Sequence, residues 1–227
     1  MDSKSEETLK KFFSRFQEVK FKKKETIIRA DDNPAGVYYI KTGFVKMNSI
    51  FENGSELTLN IFKPGSFFPM VWAIGEVENS YFYQTMSDIV AYKAPRDEVV
   101  NFINQQPDIL YDLMKRILIG MDGLFTNVQH LLYGNSYNRV ASAVFIFAKR
   151  FGQKIGKDGV LIILPLTHQD IANMAGLTRE TTSIALGQLK KRRIIIQSRH
   201  NLFVKSVPEL ERETLVNINN VDEPTMV

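Results

Sequence analysis

The chain has 227 residues, of which 44% are hydrophobic and 24% charged, with a formal net charge of +4 and no cysteine. That length supports one or two domains with a buried core, and the missing cysteine excludes disulfides and thiolate-held iron–sulfur clusters. No apolar run is long enough to span a bilayer, and the charged start MDSKSEETLKKFF is unlike a signal peptide, so a cytoplasmic protein without a membrane partner is expected.

Taken in chain order, an amphipathic helix is predicted over Glu6–Phe16. From Phe21 to Tyr92 the texture is β: KETIIRA, GVYYIKTGFVKMNSI, SELTLNIF, SYFYQTM and DIVAYKA are short β-branched or aromatic runs. The turn signals DDNPAG, ENG and KPGS separate them, and Asn53-Gly54 is the strongest hairpin signal because both residues tolerate positive φ. Many short antiparallel strands with regular turns predict a small barrel or sandwich. Helix begins again after Pro95.

From Asp108 to Tyr133 no proline intervenes, and Leu110, Leu113, Ile117, Leu124 and Leu131 recur at heptad spacing, with Gly120 and Asn127 at seam positions between them. Further apolar residues (Ile109, Met114, Leu118, Met121, Val128, Leu132) predict burial on more than one side. A parallel dimer of such helices and burial within one chain both fit. Gly134-Asn135-Ser136 ends the helix. A helix over Tyr137–Phe151, a Gly-rich loop over Gly152–Gly159 and a strand over Val160–Leu164 follow.

Charge then becomes informative. Residues 136–207 carry 12 Lys and Arg against 3 Asp and Glu, residues 1–135 carry 16 against 17, and residues 208–227 carry 1 against 5. A strongly basic third beside a near-neutral partner is the electrostatic footprint of nucleic-acid binding, although a solvated basic surface has the same charge. Within it lies LTHQDIANMAGLTRETTSIALGQLKK. Thr167 with Asp170 forms an acidic variant of the capping box; Ala172 is small where a second helix crosses; Gly176 supplies a left-handed turn; Leu177 plugs it; Thr178 caps a second helix over Arg179–Lys190. Thr182, Ala185, Leu186 and Leu189 face inward. Arg179, Glu180, Ser183 and Ile184 face outward, where Arg can bond guanine, Glu can accept from cytosine and Ser can serve either base. Two strands with the polar tip Ser198–Asn201, including Arg199 and His200, complete a wing suited to phosphate.

In this order of parts the chain resembles the cAMP receptor protein/fumarate-nitrate regulator (CRP/FNR) family over roughly residues 10 to 210. GVYYIKTGFVKM resembles its β-roll, PGSFF the start of its phosphate cassette and TRETTSIALGQL its recognition helix. The resemblance implies an α+β fold: a double-stranded, jelly-roll-like β-roll over 1–106, a dimerisation helix over 107–134 and a winged helix-turn-helix over 135–227. It implies a bacterial homodimeric regulator on a palindromic operator. Thr167, Gln169, Thr178 and Thr181 would meet the DNA backbone, Arg179 and Glu180 would read bases, and His168 would share that surface. Where the family often has an arginine four residues beyond the recognition-helix Glu, this chain has Ile184. RNA polymerase would be met, by analogy, through Phe51–Glu56 or Gly152–Gly159.

The sensor departs from the family pattern. In place of Gly-Glu and Arg-Ser for a cyclic nucleotide stand Pro69-Met70 and Asn79-Ser80, so the carboxylate for ribose and the cation for phosphate are missing. The expected effector is a small molecule other than cAMP. Candidate pocket residues are Phe67, Met70, Trp72, Asn79, Ser80, Tyr81 and Tyr83, with Asn127 and His130 from the long helix. The same aromatics, with Phe68 and Phe82, fit ordinary strand-pair packing. His130, His168 and His200 lack metal spacing, and no P-loop or GxSxG elbow occurs. No metal, cofactor or catalytic residue is therefore expected. The competing readings are a cyclic-nucleotide-binding regulatory module and a constitutive DNA-binding regulator whose β-roll is only a scaffold.

Overall fold

A computed structural model describes residues 3–198 and 201–214. Contacts divide the chain into two compact units, Met1–Ile119 and Gly120–Val227. In chain order the first holds α1 (Ser3–Phe13), β1 (Gln17–Phe21), β2 (Thr26–Ile28), β3 (Val37–Thr42), β4 (Val45–Ile50), β5 (Glu56–Phe62), β6 (Phe67–Phe68), α2 (Met70–Gly75), β7 (Phe82–Thr85), β8 (Ile89–Ala94) and α3 (Arg96–Asn104). The long α4 (Pro107–Tyr133) contains the division between units.

The strands form two antiparallel four-stranded sheets, ordered β1-β8-β3-β6 and β2-β7-β4-β5. This is a sandwich of the kind the turn spacing predicts, with the jelly-roll-like architecture that the family resemblance implies. The β4–β5 hairpin closes where Asn53-Gly54 predicts it. Gly54 takes a φ of +76°, and the Asn53 side-chain carbonyl accepts from Ser55 N and Ser55 Oγ at 3.0 and 2.6 Å. Two apolar layers hold the unit together. Ile28, Tyr38, Ile40, Val45, Phe68, Tyr83 and Ile89 lie in one, Phe68 stacking on Tyr38 and Tyr83 with ring centroids 5.6 and 5.0 Å away. In the other, Val37, Tyr39, Phe67 and Ala94 meet Leu9 and Phe13 of α1, Val99 and Ile103 of α3, and Ile109 and Leu113 of α4.

That second layer corrects the seam read from the sequence. Leu113 is 9% exposed and belongs to the core of its own chain. The exposed apolar residues of α4 include Tyr111, Met114, Leu118, Met121, Phe125, Val128 and Leu132, flanked by Leu110, Ile117 and Leu124, with Ile119 and Tyr133 exposed outside this set. From Tyr111 to Leu132 the spacing alternates three and four, which is an uninterrupted heptad stripe. Leu113 leaves the expected seam because it faces the apolar layer of its own unit, whereas Leu110, Ile117 and Leu124 of that seam stay exposed.

The second unit contains α5 (Ser136–Phe151), β9 (Gly152–Ile155), β10 (Gly159–Ile162), α6 (His168–Ala175), α7 (Arg179–Lys191), β11 (Ile195–Gln197), β12 (Leu202–Val204) and α8 (Val207–Arg212). Five of the eight residues of the predicted Gly152–Gly159 loop are strand, since β9 pairs with β10, which begins at Gly159, in a sheet ordered β11-β12-β10-β9. α5 is the spine of the unit, packed on both α6 and α7, and its Val140, Ala141, Val144 and Phe147 are buried.

His130, on the C-terminal half of α4, is 4% exposed and joins this unit. Ser142 Oγ donates to the Asn138 carbonyl at 2.8 Å, so it accepts from His130 Nδ1 at 3.1 Å. Burial holds the imidazole below its ordinary value of 6.5, favouring the neutral ring. With the folded value depressed, the unfolded chain binds more protons below that pH, so stability contributed by neutral His130 is complete above about pH 6.5 and declines as pH falls. The urea midpoint of the wild type should stay level from pH 8 to 7 and fall toward pH 5.5, and His130→Gln should flatten that fall. An identical slope in the variant would show that His130 does not carry it.

Candidate nucleic-acid interface

The Thr167–Asp170 box forms as its residue types predict. Asp170 N donates to Thr167 Oγ1 at 3.1 Å, while Asp170 Oδ2 accepts from Thr167 N at 2.8 Å and from Thr167 Oγ1 at 2.6 Å. Gly176 ends α6 with a φ of +61°, a left-handed conformation that favours glycine. Thr178 then caps α7, its Oγ1 accepting from Thr181 N at 3.2 Å. Thr182, Ala185, Leu186 and Leu189 are buried, which fixes the rotation of α7. The opposite face therefore presents Arg179, Glu180 and Ile184 to solvent, Ile184 with 66% of its surface exposed. Arg179 and Glu180 thus stand on the exposed first turn of α7.

Other predicted contacts are distributed differently. Gln169 is exposed, but its amide donates to Asn173 Oδ1 at 2.6 Å. The Thr181 hydroxyl is 2.9 Å from that of Thr178. Ser183 does not have a free hydroxyl: it donates to the Arg179 carbonyl at 2.9 Å and lies 2.7 Å from His168 Nδ1. The other nitrogen of His168 is 3.1 Å from Gln197 Oε1, so its ring is engaged inside the protein at both ends. Ser198 is exposed at the wing turn, where its N–H donates to the Asn201 carbonyl at 2.9 Å. Arg199 and His200 lie outside the described residues.

Two supporting groups escaped the sequence reading. Arg139 of α5 donates from Nε to the Ala175 carbonyl at 2.9 Å and from Nη2 to the Gly176 carbonyl at 2.7 Å. It thereby holds the helix-turn-helix corner with a charge-assisted pair of bonds. Behind α7, Arg192, Tyr137 and Glu213 form a triad: Tyr137 OH donates to Glu213 Oε2 at 3.0 Å, Arg192 Nη1 donates to Tyr137 OH at 3.1 Å, and Arg192 is ion-paired with Glu213. The three come from α5, the end of α7 and the residue after α8. Nothing local in the sequence marks Arg139, because its partners are backbone carbonyls 36 and 37 residues away.

The candidate effector residues do not converge within either unit. Phe67, Met70 and Trp72 belong to the helix-covered layer, and Trp72 Nε1 donates to Asn33 Oδ1 at 3.1 Å. Tyr81 and Tyr83 belong to the layer containing the stacked rings. Buried Asn79 donates its amide to the carbonyls of Arg29 and Tyr81 at 2.7 and 2.9 Å, whereas Ser80 is exposed. Asn127 and His130 lie in the C-terminal unit. Among the described residues no group of three or more His, Asp or Glu is arranged to hold a metal ion, and no helix is long and apolar enough to cross a membrane.

Residues 18–106 match the cyclic nucleotide-binding domain family and residues 138–213 match the Crp-like helix-turn-helix domain family. The chain belongs to the CRP/FNR family. The CRP/FNR relatives similar to it include a global nitrogen regulator of Nostoc sp., 24% identical over 85% of this chain and 87% of the relative. The fumarate and nitrate reduction regulatory protein of Salmonella typhi is 27% identical, covering 74% of this chain and 67% of that one. The solved structure of a CooA mutant from Carboxydothermus hydrogenoformans shares the fold, with a TM-score of 0.72, 24% identity and 88% of each chain covered. As a CRP/FNR protein, the chain is a transcription regulator with a helix-turn-helix DNA-binding domain.

Proposed function

We propose that the protein acts in the cytoplasm as a homodimer that binds a palindromic operator, without enzymatic activity, under control of a small effector other than cAMP. The observation that carries this reading is the fixed orientation of α7. Its inward face is locked in the core while Arg179, Glu180 and Ile184 face solvent in a domain whose 136–207 stretch is strongly basic. The heptad stripe of α4 supports the dimer, because an exposed apolar face of this length is costly in water and matches the same face of a second copy.

Two-fold symmetry predicts half-sites one helical turn apart, about 34–36 Å or about 10–10.5 base pairs between centres. Phosphate contacts should also make affinity fall steeply with salt. Binding-site selection followed by footprinting at several salt concentrations tests both. Protection of a single short half-site, with affinity indifferent to salt, would contradict the dimeric reading.

The reading of the effector rests on Asn79, which stands where the family resemblance places the phosphate-binding cation. Its amide is committed to two backbone carbonyls and it carries no charge. Micromolar cAMP should therefore leave the melting temperature unchanged. A ligand at about 100 times its dissociation constant would stabilise by about 2.7 kcal/mol, a shift that a thermal scan resolves. A clear upward shift with cAMP would overturn this part of the proposal.

A further inference from the structure

The side chain of His168, the first residue of α6, connects the recognition helix with the wing. Ser183 Oγ spends its hydrogen on the Arg179 carbonyl at 2.9 Å, so at 2.7 Å it accepts from His168 Nδ1. On its far side His168 Nε2 lies 3.1 Å from the Gln197 side-chain amide oxygen, and because a neutral ring that donates from Nδ1 accepts at Nε2, the pairing is made with the amide turned so that its NH2 group donates to the ring. Gln197 is the last residue of β11, immediately before the turn closed by Ser198 N–H and the Asn201 carbonyl. A continuous polar chain thus runs from the base-reading turn of α7, through Ser183, His168 and Gln197, to the base of the wing.

We infer that His168 is a positioning residue that locks the wing to the recognition helix, and that its imidazole is not a DNA ligand. The inference rests on the DNA-binding reading above. Both ring nitrogens already have partners, which leaves none for a phosphate oxygen. The wing needs such a lock: β11 spans three residues at the edge of its sheet and, among the described residues, pairs with β12 alone. With the lock in place, the spacing between the exposed turn of the recognition helix and the base of the wing is set before DNA arrives, so less ordering remains to oppose binding. Ser183 is correspondingly withdrawn from base reading, which falls to Arg179, Glu180 and Ile184.

The test compares wild type, His168→Ala, Gln197→Ala and the double variant on a duplex obtained by binding-site selection. Affinity is measured by fluorescence anisotropy across a salt series, with circular dichroism melts confirming that each variant folds. His168→Ala should bind about ten-fold more weakly, as expected for loss of one or two net hydrogen bonds. Its dependence of log affinity on log salt should match the wild type, and Gln197→Ala should cost nothing further in the His168→Ala background. Ser183→Ala, which keeps the imidazole and removes its other partner, should weaken binding with the same unchanged salt slope. A salt slope lower by about one in His168→Ala would identify the imidazole as a phosphate ligand and overturn the inference. Fully additive losses in the double variant would do the same, by showing that His168 does not act through Gln197. If the wild type selects no DNA sequence at all, the DNA-binding reading itself fails, an outcome distinct from either.

Discussion

Replacing Leu118 and Phe125 together with lysine should convert the proposed dimer to a folded monomer and lower operator affinity by about 100-fold or more, the usual scale of gain from linking two binding modules. These side chains are 58% and 60% exposed within the single chain and lie on the same heptad stripe. Fully burying a large apolar side chain stabilises by about 1.5–3 kcal/mol, so the exposed shares of two from each protomer contribute on the order of 4–7 kcal/mol to pairing. Lysines facing lysines across the axis add repulsion. Neither residue packs in its own core, so the monomer should keep its fold. Sedimentation equilibrium reads the mass and anisotropy reads the operator affinity. A double variant that remains dimeric would exclude this stripe as the interface. Leu113 is unsuitable for the same test. It is only 9% exposed, and a lysine there would damage the N-terminal core along with any dimer.

Arg179→Ala should reduce operator affinity through both half-sites. A good bidentate base contact contributes about 1–3 kcal/mol of discrimination, hence about 2–6 kcal/mol for a symmetric dimer, or about 30-fold to 20,000-fold. Glu180→Ala should act differently. A carboxylate beside DNA is repelled by phosphates, so Glu180 is useful only where a base-edge donor such as cytosine N4 meets it. Its removal should relax preference at one base pair per half-site while non-specific affinity holds or rises. Binding-site selection on both variants, with parallel titrations on an unrelated duplex, separates the effects. Equal losses on operator and unrelated DNA for Arg179→Ala would make it a phosphate anchor. Neither side chain contributes to the core, and the helix cap belongs to Thr178, so loss of fold is not expected to confound the comparison.

The jelly-roll strands, the long helix and the helix-turn-helix were legible because their signals are local. Turn residues such as Asn53-Gly54, Thr178 and Gly176 act on their immediate neighbours, and apolar periodicity reports which side of an element avoids water. The recognition unit was therefore readable residue by residue, down to the acidic capping box at Thr167 and the inward set Thr182, Ala185, Leu186 and Leu189. The resemblance to CRP/FNR proteins rests on those same local patterns.

Tertiary structure alone decided which partner each ambiguous face meets. Along α4, periodicity revealed two apolar stripes but not that Leu113 turns to its own core while Leu118 and Phe125 remain outside. It also decided which polar atoms are already spent. His168 and Ser183 have residue types suited to DNA, yet they bond each other and Gln197, a partner 29 residues from His168. Arg139 reaches a helix corner more than 30 residues away. The aromatic residues proposed for one pocket divide between two layers, Phe67 and Trp72 in one and Tyr81 and Tyr83 in the other, because they come from different elements that the sequence alone does not bring together. Sequence specifies the chemistry each side chain offers, but hydrogen-bond partners and burial depend on approaches between distant segments, which only the folded chain brings about.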